Sequence, residues 1–339
     1  MNRYRAAFSA IAEDVEVLSE SAFGHREWGE LRPAPGVESA PGDLPVLPHL
    51  SRFLYLSYYA GDARAARWLI DGAPVVLGTR RREDPAVARA LDEANQGSGY
   101  WDSGWRAVPA GPGGHRVAKN RVTKNGLTLT VTADETLPPS PAPGQPVAVR
   151  FPPARPYMYP GWYLAIGDEG MPRHGERPVV RLYYTPGDPA SAAGLMRALT
   201  GRLCAARVPY QLKAANHPEG YERRDAMVLY LYRDDWLLME RELTDIHRRH
   251  LDALRDTGPA FALELGRGWW LADEPEQRQG RLMSFGQHRC LLVAEGLVTA
   301  WRDGRTTAAD RLDAIEERYR AERLDPAHPY LNARGSAVR

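Results

Sequence analysis

Three lysines, Lys119, Lys124 and Lys213, stand among 41 arginines in this chain. An ammonium can give up its proton when it is buried or crowded by other cations, whereas a guanidinium keeps its charge. Proton abstraction by a basic side chain therefore falls to a lysine here. The plain alternative is that a GC-rich genome replaced Lys by Arg and left three at random. Lys213 is singled out by its place. It ends the apolar run Tyr210–Ala214 and is followed by Asn216, His217, Tyr221, Arg223 and Arg224. A strand end that opens into a polar loop is where sites gather in sheet proteins. Desolvation and the nearby guanidinium groups both disfavour the ammonium, which would ready Lys213 as a general base near neutral pH. Otherwise it is a lysine that snorkels or pairs with Asp225.

Two further groups carry chemistry. Ser284-Phe285-Gly286-Gln287-His288-Arg289-Cys290 opens an amphipathic segment, with Ser284 a predicted N-cap and the free amides of the helix start a potential anion cradle. His288, one turn in, is a candidate proton donor and Arg289 a candidate phosphate ligand; the alternative for His288 is a ring packed against a sheet. The third group is spread over strands: Lys119, Arg121, Lys124 and Arg150, then Arg181 with Tyr183 on one face of Val179–Tyr184. An arginine inside an apolar strand needs a partner, either an anionic ligand or a structural carboxylate.

Length and composition bound what can position these residues. A chain of 339 residues forms one large domain or two ordinary ones, and 43% hydrophobic with 26% charged residues describes a globular protein. A net charge of +1 gives no broad basic surface, so nucleic acid is not an expected partner and any anion site is local. Cys204 and Cys290 are too few for a disulfide framework or a thiolate zinc site. With no apolar stretch of membrane length and no signal-peptide core, the expected location is the cytoplasm, with no membrane partner. The dinucleotide loop, the phosphate-binding loop, kinase signatures, the serine elbow and the zinc-protease motif are absent. Asp245, His247 and His250 sit within a charged run and read as a solvated helix face, so neither a metal nor an organic cofactor is expected.

Periodicity predicts helices over 1–20, 50–70 and 84–96, the last capped by Asp84, with a Pro- and Gly-rich loop over about 32–48. Short strands are predicted at 115–122, 127–132 and 146–151, with Asn125-Gly126 as a hairpin signal. Strands at 162–166, 179–185, 210–214 and 226–232 alternate with helices over 189–207 and 235–256, and helices over 284–302 and 307–323 follow. The expected fold is α+β: a mixed β-sheet packed with helices, in a body over 101–339, and a helical N-terminal portion over 1–100. The alternative is that the two form one continuous domain.

At several of these segments the sequence resembles the HopA family of type III effector-like proteins. The stretches are Pro160–Ala165 with Gly167-Asp168, Val180–Tyr184, Pro209–Lys213, Arg224–Tyr230 and Ser284–Arg289, spread over roughly 110–302. Members occur as plant-pathogen effectors. Others belong to actinobacterial gene clusters for ribosomally made peptides, notably class V lanthipeptides and thioamitides. The Arg- and Ala-rich composition and the lack of a disordered secretion segment favour the biosynthetic branch. The resemblance implies a lyase that eliminates phosphate from phosphoserine or phosphothreonine of a precursor peptide, giving dehydroalanine or dehydrobutyrine. The phosphate would come from a partner kinase resembling aminoglycoside phosphotransferases.

Such an elimination needs a base, an acid and cations, and no cofactor. The expected assignment is Lys213 as base and His288 as acid, with Tyr183 as a third catalytic residue, and Arg181, Arg289, Lys124 and Arg150 on the phosphate. Phosphothreonine lyases of enteric pathogens divide the labour in the same way, a mechanistic parallel only. The competing expectations are a non-catalytic scaffold that binds the precursor peptide or the kinase, and an effector-type module that binds a host protein.

Overall fold

A computed structural model describes residues 3–32, 44–70, 83–109, 119–275 and 283–333. Helix α1 (Arg3–Asp14) buries Tyr4, Phe8, Ile11 and Ala12 along one stripe. The helical spacing of the sequence runs on to residue 18, yet the chain becomes extended at Val15. From there Val15 and Val17 point inward while Glu16 and Leu18 point out, the alternation of a strand. Strands β1 (Val15–Ser19), β2 (Ala22–His25) and β3 (Gly29–Leu31) form a small antiparallel sheet. Most of the predicted loop over 32–48 lies outside the described residues.

The helix predicted over 50–70 is three pieces: α2 (Val46–Leu54), a π-helical turn at Tyr55–Tyr59, and α3 (Ala63–Ile70). Gly61, at φ +64°, turns the chain between the last two. Helix α4 (Pro85–Ala94) starts as predicted, with the Asp84 carboxylate accepting from the amides of Ala86 and Val87. Strands β4 (Tyr100–Val108), β5 (Lys119–Lys124), β6 (Leu127–Thr132), β7 (Thr136–Leu137) and β8 (Pro146–Phe151) make a five-stranded sheet ordered β6-β5-β4-β8-β7. Asn125 and Gly126, both at positive φ, turn β5 into β6 as the dipeptide predicts. Residues 115–118 of the predicted first strand lie outside the described residues.

The remaining elements are β9 (Ala154–Tyr159), β10 (Trp162–Ile166), β11 (Val179–Tyr184), α5 (Pro189–Ala205), β12 (Gln211–Ala215) and β13 (Met227–Tyr232). They are followed by α6 (Arg233–Arg249), β14 (Leu263–Gly266), β15 (Trp269–Asp273), α7 (Phe285–Arg302) and α8 (Ala308–Ala321). Seven strands form the central sheet in the order β14-β15-β11-β13-β12-β10-β9. The pairs are antiparallel, so the sheet's mixture lies in strand order rather than strand direction. This is the α+β architecture expected from the sequence.

Both faces of the sheet are covered. Val180, Leu182, Tyr184, Leu212, Ala214 and Leu229 pack with residues of α4, α5 and α6. Tyr183, Val228, Trp270 and Ala272 face the other way, into a core shared with α1, β1, α2, the π-helical turn, α7 and α8. Residues before and after position 100 are therefore interleaved in both large cores. His247 differs from its solvated reading: it is buried against the Trp269 ring and its Nε2 bonds the Arg267 carbonyl at 2.9 Å.

Helix α7 is fixed at both its start and its flank. Ser284 and Gln287 form a reciprocal capping box, and Gly286 lets the helix approach the Tyr59 ring, where a methyl group would overlap it. Arg289 has no exposed surface, and it donates to the carbonyls of Pro329 (2.7 Å) and Leu331 (2.9 Å), clasping the segment after α8. Arg289→Met should lower stability by about 2–4 kcal/mol, because it strands buried carbonyl acceptors. Urea unfolding of the two proteins checks this, and a loss below about 1 kcal/mol would contradict the clasp.

Candidate functional site

Lys213 is the middle residue of β12, not its end, and is paired with Leu164 of β10 and Val228 of β13. Val228 in turn opposes Tyr183, so Lys213, Tyr183 and Arg181 share the sheet face that looks toward the N-terminal helices and α7. The lysine is half-buried, and its Nζ lies 3.7 Å from the centre of the Trp162 ring. Desolvation lowers its pKa from 10.5 to about 8; Arg181 and Arg223 push the same way, against Asp225 and Glu274. This is the perturbation that the sequence suggested.

Asp225, the alternative partner for Lys213, is taken by Arg223. The guanidinium donates to both carboxylate oxygens, at 2.8 and 3.0 Å, and also to Asp62 (2.8 Å) and the Tyr55 hydroxyl (3.0 Å). The Tyr55 hydroxyl in turn donates a hydrogen bond to Asp225 at 3.0 Å. Burial pushes the Asp225 carboxyl up, but Arg223, Lys213 and the Tyr55 hydrogen bond together outweigh it and the net shift is downward. Two residues from the N-terminal portion, Tyr55 and Asp62, are thus built into the charge network of the body.

The other expected residues separate into those that share this layer and those that do not. Arg181 is buried and held by both oxygens of Glu274, with Tyr230 against its other side (4.9 Å from guanidinium to ring centre). It has the structural carboxylate, so its expected contact with phosphate is corrected. Tyr183 is enclosed beside Tyr59, and burial raises its pKa. Arg289 is likewise corrected, since its donors go to the Pro329 and Leu331 carbonyls and to His288 Nδ1 at 2.6 Å. His288 is buried beside it, on the helix whose first residue meets Tyr59. Lys124 and Arg150 belong to the five-stranded sheet. There Lys124 is bound to Asp102 at 2.6 Å, and Arg150 donates to the Ser98 carbonyl at 3.0 Å. The structure does not bring either of them to Lys213, and Lys119 opens β5 on the same separate sheet.

Beside Trp162 is a cavity of about 190 Å³. Arg52, Leu56, Asp62 and Arg64 form its wall on the N-terminal side, and Trp162, His217, Glu219, Glu222 and Arg223 on the body side. His217 is held by its Nδ1, which accepts from the Glu219 amide at 3.2 Å, so a neutral ring carries its proton on Nε2. Sequence reading noticed His217 only as a polar neighbour of Lys213, and it missed Arg52, Tyr55, Asp62 and Glu274. The only local signal was Arg223-x-Asp225, which pairs across two residues. Among the described residues no group of three or more His, Cys, Asp or Glu is placed to hold a metal ion, and no helix is long and apolar enough to cross a membrane.

Two solved structures are similar to this chain. One is the effector protein from Pseudomonas syringae pv. tomato strain DC3000, with 22% identity and a TM-score of 0.38 over 50% of this chain and 62% of that one. The other is the effector protein from Pseudomonas syringae pv. syringae strain 61, with 18% identity and a TM-score of 0.38 over 51% and 63%. The match thus spans less than two thirds of either effector's length. No curated protein matches the sequence. The model of the HopA1 effector protein family covers residues 154–331, which takes in the whole central sheet with Lys213, Arg181, Arg223, Asp225 and Glu274. Since that is just over half of the chain, the protein belongs to the HopA1 effector protein family.

Proposed function

We propose that this protein is a lyase that eliminates phosphate from phosphoserine or phosphothreonine in a ribosomally made peptide, leaving dehydroalanine or dehydrobutyrine. A kinase of the aminoglycoside-phosphotransferase type would supply the phosphorylated peptide. The observation that carries the reading is the Lys213 amine: held near pKa 8, stacked on Trp162, and passed over by the carboxylate nearest to it in charge. An amine in that state can accept a proton at neutral pH, which an ion-paired lysine cannot do efficiently.

In this reading the neutral Lys213 amine takes the Cα proton, and the electron pair left on Cα forms the Cα–Cβ double bond. The Cβ–O bond breaks, and phosphate departs with both electrons of that bond. His217 takes the place expected for His288 at the leaving oxygen, because it lines the cavity and offers an Nε2–H hydrogen bond, whereas His288 is buried beside Arg289. The step needs no redox partner: the amine ends protonated, the neutral imidazole only hydrogen-bonds the leaving oxygen through Nε2–H, and the departing phosphate takes its proton from water. The competing reading is an effector-type or scaffold module that binds without chemistry. It draws on the family and on the internal pairing of Arg181 and Arg223, which leaves few cations for a ligand.

Incubation with a phosphorylated precursor peptide, read by mass spectrometry for loss of phosphoric acid, separates the two. Lys213→Met should cut elimination by roughly 10²-fold or more while the phosphopeptide still binds. Turnover by Lys213→Met at the wild-type rate would remove the base assignment, and a bound but unchanged peptide with wild-type protein would favour the scaffold. The pH dependence has a definite sign. Since the reactive form is the deprotonated amine, kcat/KM should climb about tenfold per pH unit below pH 8 and level off above it. Asp225→Asn removes a carboxylate that favours the ammonium, so the rising limb should move to lower pH. A limb that stays in place would show that another group titrates.

A further inference from the structure

With Arg181, Arg289 and Lys124 engaged elsewhere, the proposed elimination still requires a cation for the departing phosphate. The charges around the cavity can be followed pair by pair. Three carboxylates line it, and each has an arginine: Asp62 accepts from Arg223 at 2.8 Å, and Glu219 and Glu222 each meet Arg64 at 2.6 Å. Arg52 also lines the cavity, and it is different. Its side chain is exposed, and among the described residues no carboxylate is within ion-pair distance of it. It sits in the last turn of α2, where the helix dipole favours a cation.

We propose that Arg52 is the phosphate-binding residue of this cavity, supplied by the N-terminal portion of the chain to a site whose base and imidazole hydrogen-bond donor lie in the family-matched body. The assignment rests on the lyase reading in so far as the phosphate is the substrate's. The same cavity is lined by Trp162, on which Lys213 stacks, and by His217, whose Nδ1 accepts from an amide so that the neutral ring carries its proton on Nε2. A phosphate held by the Arg52 fork would therefore share the cavity with the His217 Nε2–H and with the ring that Lys213 stacks on. Guanidinium suits this task because its planar donors meet two phosphate oxygens at once. Among the described residues the neighbouring arginines of the lining are committed to carboxylates and Arg52 is not, so an incoming dianion meets a localised guanidinium rather than a diffuse positive field.

The test uses inorganic phosphate as the probe and the full-length protein, with 31P NMR line broadening as the readout at constant ionic strength. Wild-type protein should bind phosphate, Arg52→Gln should bind it roughly tenfold more weakly or worse, and Arg52→Lys should fall between them. Circular dichroism on the same samples confirms that these surface variants are folded. Equal affinity in wild type and Arg52→Gln, or no phosphate binding by wild type, overturns the assignment. Elimination from a phosphopeptide, measured alongside, keeps the two ideas apart. Phosphate binding that depends on Arg52 in a protein that never eliminates leaves the anion site standing and removes the lyase. Elimination by Arg52→Gln at the wild-type kcat/KM does the reverse.

Discussion

Burying several cations on one face of a sheet forces a choice about which of them receive a carboxylate. A guanidinium cannot shed its charge, so a buried arginine must be paired, whereas an ammonium can respond to desolvation by losing its proton. In this protein Glu274 goes to Arg181 and Asp225 goes to Arg223. Lys213, between them in the same layer, is left with an aromatic ring in place of a counterion. The balance of charge is close to neutral, but its distribution is uneven, and the unevenness falls on the one side chain that can act as a base. The rest of the site follows from this arrangement: the ring that Lys213 rests on is also a wall of the cavity, and the arginine that withholds Asp225 from it is another.

The N-terminal helices reinforce the pairing. Tyr55 adds a hydrogen bond to Asp225, and Asp62 gives Arg223 a second carboxylate. They add to a pair that Arg223 and Asp225 already make through both carboxylate oxygens. The π-helical turn at Tyr55–Tyr59 sets this contact, because its wider winding brings Tyr55 and Tyr59 into a stack, with one ring toward Asp225 and the other toward the start of α7. Gly286 answers on the α7 side by leaving room for Tyr59.

Much of the central sheet was legible in the sequence because β10 to β13 are apolar runs flanked by loops and helices, as strands buried on both faces should be. The strands that escaped notice are those whose patterns resemble something else. Val15 and Leu18 continue the spacing of α1, β9 contains Pro156 and carries the exposed Tyr157, Met158 and Tyr159, and β15 is a short run behind the Gly266–Gly268 turn. The site divides in the same way. Lys213 could be found because lysine is rare here and sits in an apolar setting, which are local properties. Arg181 could be seen to need a partner, but that Glu274 fills the need is a fact about β11 and the end of β15 lying side by side. Arg289 looked like a ligand because it opens a helix, and only the fold reveals the carbonyls of the C-terminal segment above it.

The same pairings have a consequence for when the site comes into being. Asp62 meets Arg223 across 161 positions of sequence, and Tyr55 meets Asp225 across 170. Contacts of that span close late, after the local hairpins and helices that shorten the path between them. A chain emerging from the ribosome therefore carries its lysine as an ordinary protonated one until the last stages of assembly, and reactivity is acquired with completion of the tertiary structure rather than with any single element.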